Sequence, residues 1–303
     1  MEESTSKIKT LKAALALHGL SPRKCFGQNF MLDSNFATAV VKAAAPDERT
    51  LVLEVGPGTG CLTRTLLEAH TSTRVLAIEI DRGLAQFLRD ELAEFTAAGR
   101  FTLIEGDILA DKHTISPQFL DIAREISLRE NRPRRVLCAN LPYNIATPLL
   151  LNAAADVERS IEQAVVTVQL ETSERLVAQP GENAYGAISV MMALRAQCRV
   201  LRRVGKEIFW PRPDVESAVV RLDFMEWGNS RTLGAPMRAD EIGAFQIFLK
   251  KLFSQRRKML RAVLKPLEIP SQLNLHATSR AEALTPKEIL ALFRALQQQH
   301  GQP

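Results

Sequence analysis

Residues 51 to 60 read "LVLEVGPGTG": with Thr50 an apolar, β-rich run, "TLVLEV" (50 to 55), then Gly56, Gly58 and Gly60 in alternate positions, then the helical pattern "CLTRTLLEA" from Cys61. Glycines at a strand-to-helix turn let the backbone bend sharply and approach a ligand, with the N-terminus of the helix facing it. The spacing is G-x-G-x-G and differs from the G-x-G-x-x-G of dinucleotide sites, and Pro57 stiffens it. Taken alone, the loop is compatible with a bare strand-turn-helix connection.

Working outward, similar β-rich runs alternate with helical patterns: "RVLAIEI" (74 to 80), "RFTLIEGDI" (100 to 108), "RVLCAN" (135 to 140), "QAVVTVQL" (163 to 170), "CRVLRRV" (198 to 204) and "SAVVRLDF" (217 to 224). Such alternation predicts βαβ units around a mostly parallel sheet. The last two runs are joined by a loop without a clear helix, so the expected α/β fold is a Rossmann-like sheet of seven strands ending in an antiparallel pair. The segment Asp111 to Arg134 is polar and partly helical ("FLDIAREISLRE") and reads as a peripheral insertion. Residues 1–24 form an N-terminal arm, 25–230 the catalytic domain, and the linker-like "MEWGNSRTLGAPMRAD" leads into a smaller all-helical domain, 231–303.

Two acids sharpen the glycine loop. Glu79 ends the second run about twenty residues on, where a carboxylate accepts from both hydroxyls of a ribose. Asp107 ends the third, placed to accept from an adenine amino group, with Ile80 and Ile108 available to sandwich the ring. An acid at a strand end is often plain solvated surface, but three consecutive strand ends carrying the pattern point to an adenosine-bearing cofactor. The combination resembles the class I S-adenosylmethionine-dependent methyltransferases, in which the loop, here Gly56 and Gly58, lies beside the methionine part.

The fourth run ends in "NLPYNIATP". Methyl transfer to an exocyclic amine explains it. An adenine N6 is a poor nucleophile because its lone pair is delocalised into the ring. The Asn140 side-chain oxygen and the Leu141 carbonyl can accept both N6 hydrogens and aim the lone pair at a methyl donor; Pro142 fixes the turn, and Tyr143 stacks on the flipped base. The competing reading is a structural Asn-Leu-Pro turn. Asn144 and Thr147 are expected to cap a helix that Pro148 begins, an RNA contact being the alternative.

In order along the chain, "FGQNFM", "EVGPGTG", "IEID", "EGDIL", "NLPYNIATP", "FWPRPDVESAVVRL" and "FSQRRKMLRAVL" resemble the ribosomal RNA adenine N6,N6-dimethyltransferases, and most closely their bacterial small-subunit branch, from about residue 22 to 295. The resemblance implies dimethylation of two adjacent adenosines in the 3'-terminal hairpin of 16S rRNA, with S-adenosylmethionine, during late assembly of the small subunit. By motif match Asn29, Met31, Gly56, Glu79, Asp107 and Asn140 contact the cofactor. Phe209 stands where the family supplies a second aromatic near the target base, a packed core phenylalanine being the alternative. Met31 occupies a position where Leu is usual, and Leu170 replaces a frequent Lys.

Charge fits that reading. The net charge of +5 over 303 residues is mild, but eleven Lys and Arg against five Asp and Glu follow Gly234, leaving the remainder near neutral. Lys250, Lys251, Arg256, Arg257, Lys258 and Arg261 read as one basic helix interleaved with Phe245, Phe248, Leu249, Leu252, Phe253 and Leu260. Such a helix packs one side and presents the other to an RNA backbone, though a charge run is often only a solvated face.

The four cysteines lack a C-x-x-C pair and the five histidines lack ligand spacing, so free thiols and no metal are expected. No apolar stretch has membrane-span length and the start lacks a signal peptide's core, so a cytoplasmic protein is expected; a monomer is expected as well. Three rivals share features of the chain. An Erm-type enzyme would act on 23S rRNA, a mitochondrial-transcription-factor-like relative would only bind nucleic acid, and a DNA adenine methyltransferase would more typically carry Asp-Pro-Pro-Tyr or Asn-Pro-Pro-Tyr. The intact Glu79, Asp107 and Asn140-Pro142-Tyr143 set favours an active enzyme.

Overall fold

The structure, a computed structural model, describes residues 2–23, 26–112, 114–225, 237–255, 258–264, 273, 275–276 and 278–300. Its centre is a seven-stranded sheet: β1 (Thr50–Val55), β2 (Arg74–Glu79), β3 (Phe101–Glu105), β4 (Arg134–Asn140), β5 (Gln163–Gln169), β6 (Ala196–Val204) and β7 (Ser217–Phe224). The strand order is β3-β2-β1-β4-β5-β7-β6. Neighbours from β3 through β5 run parallel, and β7 enters antiparallel beside β5. Order reverses between β1 and β4, and in an open α/β sheet the crevice beyond the carboxyl ends of such strands is where ligands bind.

β1 and β2 are buried at every position, as expected of strands covered on both faces. Helix α1 (Glu2–Leu17) precedes the sheet; α2 (Ser34–Ala44) starts where Asp33 accepts from the Asn35 and Phe36 N–H groups. α3 (Cys61–Ala69) follows the glycine loop and α4 (Arg82–Glu91) follows β2, capped by Asp81.

The segment expected as a peripheral insertion is instead the crossover between β3 and β4. Its helix α5 (Pro117–Arg129) starts on a Ser116 cap and buries Phe119, Ala123 and Ile126, the one-face spacing of an amphipathic helix. Beyond α5, the Arg132 guanidinium donates to the Thr50 and Ser72 carbonyls at 3.0 and 2.8 Å. Arg74, almost fully buried, pairs with Glu130 at 3.3 Å. The helix itself is as expected; the charge on its exposed half is what makes a packed crossover resemble an insertion.

A second difference lies at the end of β4. Helix α6 (Tyr143–Ala155) begins directly after the Asn-Leu-Pro turn and contains Pro148 in its interior. Asn144 and Thr147 therefore lie inside α6 and do not cap a helix starting at Pro148. The first intrahelical bonds, from the Ile145 and Ala146 N–H groups, close on the Pro142 carbonyl.

By internal contacts the chain forms two compact units. One comprises Met1–Ala153, Ser160–Ser173 and Arg199–Phe224; the other comprises Ala154–Arg159, Glu174–Cys198 and Met225–Pro303. The second unit thus draws on residues from the middle of the chain, which sequence reading assigns to the catalytic domain; the expected boundary at 230/231 lies outside the described residues. After α7 (Leu170–Val177), α8 (Ala187–Arg195) lies wholly in this unit, with α9 (Ala239–Phe253), the short α10 (Leu260–Val263) and α11 (Pro286–His300). Phe245, Phe248 and Phe293 stack between α9 and α11, with centroids 5.1 to 6.5 Å apart. Tyr185, fully buried, donates its hydroxyl to the Leu284 carbonyl.

Candidate active site

A cleft of about 1020 Å³, counting the open space at its mouth, lies at the carboxyl ends of β1 to β4. Its glycine loop has Gly56, Gly58 and Gly60 at φ +65, +60 and +78°, the left-handed region that only glycine enters freely. Space is as tight as geometry: a Cβ on Gly58 would stand 3.0 Å from the Phe30 ring. Gly60 caps α3 without a side chain, so no side chain takes the N–H groups of the first turn.

Glu79 is 3% exposed. One carboxylate oxygen accepts from the Gly58 N–H and the other from the Asp81 N–H, each at 3.0 Å, so the loop and the acid orient one another. Burial pushes its pKa up, opposed by those backbone donors and reinforced by the neighbouring Asp81 carboxylate. Asp107 stands just past β3, exposed, with one oxygen accepting from the Leu109 N–H at 2.9 Å. Ile80 and Ile108 line the cleft beside it.

Sequence reading missed Glu54. It lies in the otherwise apolar β1, is 1% exposed, lines the cleft and has Oε2 buried without a partner. Burial raises its pKa to about 8; the Thr63 hydroxyl works against the shift and the Glu79 carboxylate adds to it. An acid inside a strand buried on both faces was the available signal, since a charge there needs a reason.

The end of β4 places Asn140, Leu141, Pro142 and Tyr143 on the cleft wall. The Asn140 amide nitrogen donates to the Asn29 backbone carbonyl at 3.0 Å. A carbonyl can only accept, so this contact fixes which end of the amide is nitrogen and leaves the side-chain oxygen as a free acceptor. The Leu141 N–H is held by the Thr167 carbonyl at 3.1 Å. Tyr143, half-buried, exchanges a 2.8 Å hydrogen bond with Ser217 through its hydroxyl, and burial raises its pKa, so the phenol stays protonated.

The arm supplies the remaining wall. Phe30–Met31 pairs antiparallel with Phe209–Trp210, and Asn29 and Met31 line the cleft. Gln28 donates to Asp81 at 3.2 Å, whose other oxygen caps α4. Asp81 therefore links arm, cap and, through its N–H, Glu79. Phe209 is placed differently from the expected second aromatic at the base: it is 3% exposed, belongs to the core, packs edge-on against Phe36 at 6.5 Å and does not line the cleft. The strand carrying it pairs with the arm strand, and its side chain lies in the same core cluster as Met31.

The basic residues do not form one helix. α9 ends at Phe253 with Lys250 and Lys251 exposed in its last turn; Met259 bridges to Arg280, and Arg261 lies in the separate α10. Ser254 ends α9 by donating its hydroxyl to the Lys251 carbonyl at 2.7 Å. Lys258 and Arg261 are exposed, while Arg256 and Arg257 lie outside the described residues.

Residues 19–298 match the family described as ribosomal RNA adenine dimethylase. The chain belongs to that family. It is 36% identical over 289 residues to the ribosomal RNA small subunit methyltransferase A of Bifidobacterium longum, covering 92% of this chain and 89% of that one. It is 37% identical over 295 residues to the protein of the same name from Phenylobacterium zucineum, covering 96% and 94%. Among solved structures, a dimethyladenosine transferase from Plasmodium falciparum superposes with a TM-score of 0.68 at 21% identity over 89% of this chain and 98% of that one. The 23S rRNA methyltransferase ErmE gives 0.59 at 20% over 89% and 100%. These two likenesses establish the Rossmann-like methyltransferase fold, and family membership makes the chain an rRNA adenine dimethyltransferase. Among the described residues no cluster of His, Cys, Asp or Glu could hold a metal ion, and no helix is long and apolar enough to cross a membrane.

Proposed function

We propose that this dimethyltransferase moves methyl groups from S-adenosylmethionine to N6 of two adjacent adenosines in the 3'-terminal hairpin of 16S rRNA, dimethylating each, in the small ribosomal subunit or its precursor. The observation that carries the chemistry is the Asn140 amide, whose nitrogen is committed to Asn29 so that its oxygen is left to accept from an amine. The small-subunit target rests on the two relatives named above.

The cleft fits the cofactor by its donor set. Each Glu79 oxygen accepts one backbone N–H and keeps a further lone pair for a ribose hydroxyl. Asp107 has one oxygen beyond its turn bond for an adenine amine, and the unpartnered Glu54 Oε2 suits the ammonium of the amino-acid part. The bound cofactor supplies an electrophilic sulfonium methyl. Asn140 and the Leu141 carbonyl hold the two N6 hydrogens and aim the lone pair; the amine becomes acidic only as the new bond forms, so no strong base is needed. Tyr143 stacks on the base, worth about 1 to 3 kcal/mol, and alignment of the reacting atoms supplies most of the acceleration, on the order of 7 to 11 kcal/mol.

In the second unit, Lys250, Lys251, Lys258 and Arg261, with Arg256 and Arg257, contact the RNA backbone as the appended helical domain of a cytoplasmic monomer. Label from S-adenosylmethionine, offered together with under-methylated small subunits, large subunits and DNA, is expected on adjacent adenosines of 16S rRNA. Label confined to 23S rRNA or DNA would refute this reading.

A further inference from the structure

Ser217 is a buried hydroxyl with no place in the chemistry described so far. It opens β7, paired with Gln169 of β5, and has no solvent exposure. A hydroxyl buried this completely costs stability unless it finds a hydrogen-bond partner. Its partner, 74 residues away in sequence, is the Tyr143 hydroxyl at 2.8 Å.

The consequence falls on the ring. Tyr143 is the first residue of α6, so its Cα is held by the helix and by the Pro142 turn, and the Ile145 and Ala146 N–H groups close on the residue just before it. A ring fixed at the Cα alone can still rotate about its two side-chain bonds. A hydroxyl tied to the end of a strand hydrogen-bonded on both sides removes that freedom and sets the angle at which the ring face meets the cleft. Each hydroxyl can both donate and accept, so the bond can form in either direction.

We infer that Ser217 is a positioning residue for methyl transfer: through the Tyr143 hydroxyl it locks the stacking ring in the pose that receives the target adenine. The inference rests on the reading in which Tyr143 stacks on that base, and goes beyond it by assigning the control of the ring to β7. A ring ordered in advance spares the ordering cost of one side chain on binding, which corresponds to a change of about two- to ten-fold. That gain belongs to RNA engagement and transfer. The groups assigned to ribose and adenine, Glu79 and Asp107, hold their own backbone partners and do not touch Ser217.

The test uses the full chain in three variants, Ser217→Ala, Tyr143→Phe and the double change, with under-methylated small subunits and single-turnover rates. Both single variants are expected to lose about two- to ten-fold in kcat/KM for RNA. The double variant should lose no more than either, because all three delete one and the same hydrogen bond. Affinity for S-adenosylmethionine, followed by calorimetry, should stay at the wild-type value, which a general loosening of the fold would not allow. A Ser217→Ala enzyme at wild-type rate, losses that add as if independent, or a parallel loss of cofactor affinity would each overturn the inference. A Tyr143→Ala enzyme keeps the two readings apart. If it is crippled while Ser217→Ala is unimpaired, only the role of Ser217 fails; if it methylates at wild-type rate, stacking fails and the role of Ser217 with it.

Discussion

Glu54→Gln should stabilise the free protein increasingly as pH rises, and the size follows from where the carboxyl sits. Glu54 lies on β1 with 1% exposure, and its pKa stands at about 8 against an ordinary 4.5. Below pH 4.5 the folded and unfolded chains both hold the proton. Between 4.5 and 8 the unfolded chain loses it and the folded chain keeps it, so stability falls as pH climbs, by 1.36 kcal/mol per pH unit at most. By pH 7 the accumulated loss is roughly 3 kcal/mol, and by pH 8, where the folded group is itself half ionised, roughly 4, both upper figures. Glutamine mimics the protonated carboxyl and removes this slope. It also introduces an NH2 group, whose burial without a partner costs about 1 to 3 kcal/mol at every pH. The decisive quantity is therefore the change in the difference between variant and wild type, measured by urea unfolding at pH 5, 6, 7 and 8. A difference that grows toward pH 8 supports the reasoning. One that is flat across the range would show that Glu54 is not held protonated in the folded chain, and would refute it.

Asn140→Ala removes both the donor to Asn29 and the free acceptor; losing one preorganised group of this kind costs about 10²- to 10³-fold in rate, and a single-turnover loss below tenfold would contradict the role given to the amide. Gly58→Ala meets a φ of +60° and the Phe30 ring at 3.0 Å, whereas Gly99→Ala meets a φ of +68° with nothing within 4 Å. Both should lower the melting midpoint, but only Gly58→Ala should weaken cofactor binding in titration calorimetry. Changing Lys250 and Lys251 together to Gln should reduce the salt slope of small-subunit binding by about 1.5, the share of two released counterions, and an unchanged slope would remove both from the RNA contact.

The sheet was legible because burial on both faces demands apolar runs, and β1 and β7 have the bounds their sequence patterns suggest. The glycine loop and the strand-end acids were legible for a related reason. Glycine at φ near +60° and an acid at a strand end are residue choices that local backbone position dictates, and each can be read without knowing what lies opposite. α5 is legible as a helix in "FLDIAREISLRE", but its stripe of Phe119, Ala123 and Ile126 is narrow beside the charged face around it, which made a packed crossover read as a peripheral insertion. The basic run read as one helix because its periodicity is sound on both sides of the break; what ends α9 is Ser254 turning its hydroxyl back on the Lys251 carbonyl, a local competition for backbone groups that periodicity does not register.

What the sequence hid is the set of polar links that turns separate motifs into a site. Asn140 meets Asn29 across 111 residues, Tyr143 meets Ser217 across 74, and Gln28 meets Asp81 across 53. In each pair the motifs name the residues but not the link: nothing local tells that Ser217 at a strand start meets Tyr143, that Gln28 in the arm meets Asp81, or that Asn29 offers its main-chain carbonyl to Asn140. Their meaning comes from the strand order, which brings β4 beside both β1 and β5 and sets β7 against β5. A tight catalytic geometry requires groups locked by partners outside the reacting set. In an open parallel sheet those partners come from distant strands and from the arm that folds over their ends. The residues proposed for the chemistry therefore stand in short motifs, while the partners they bond become visible only when the sheet is assembled.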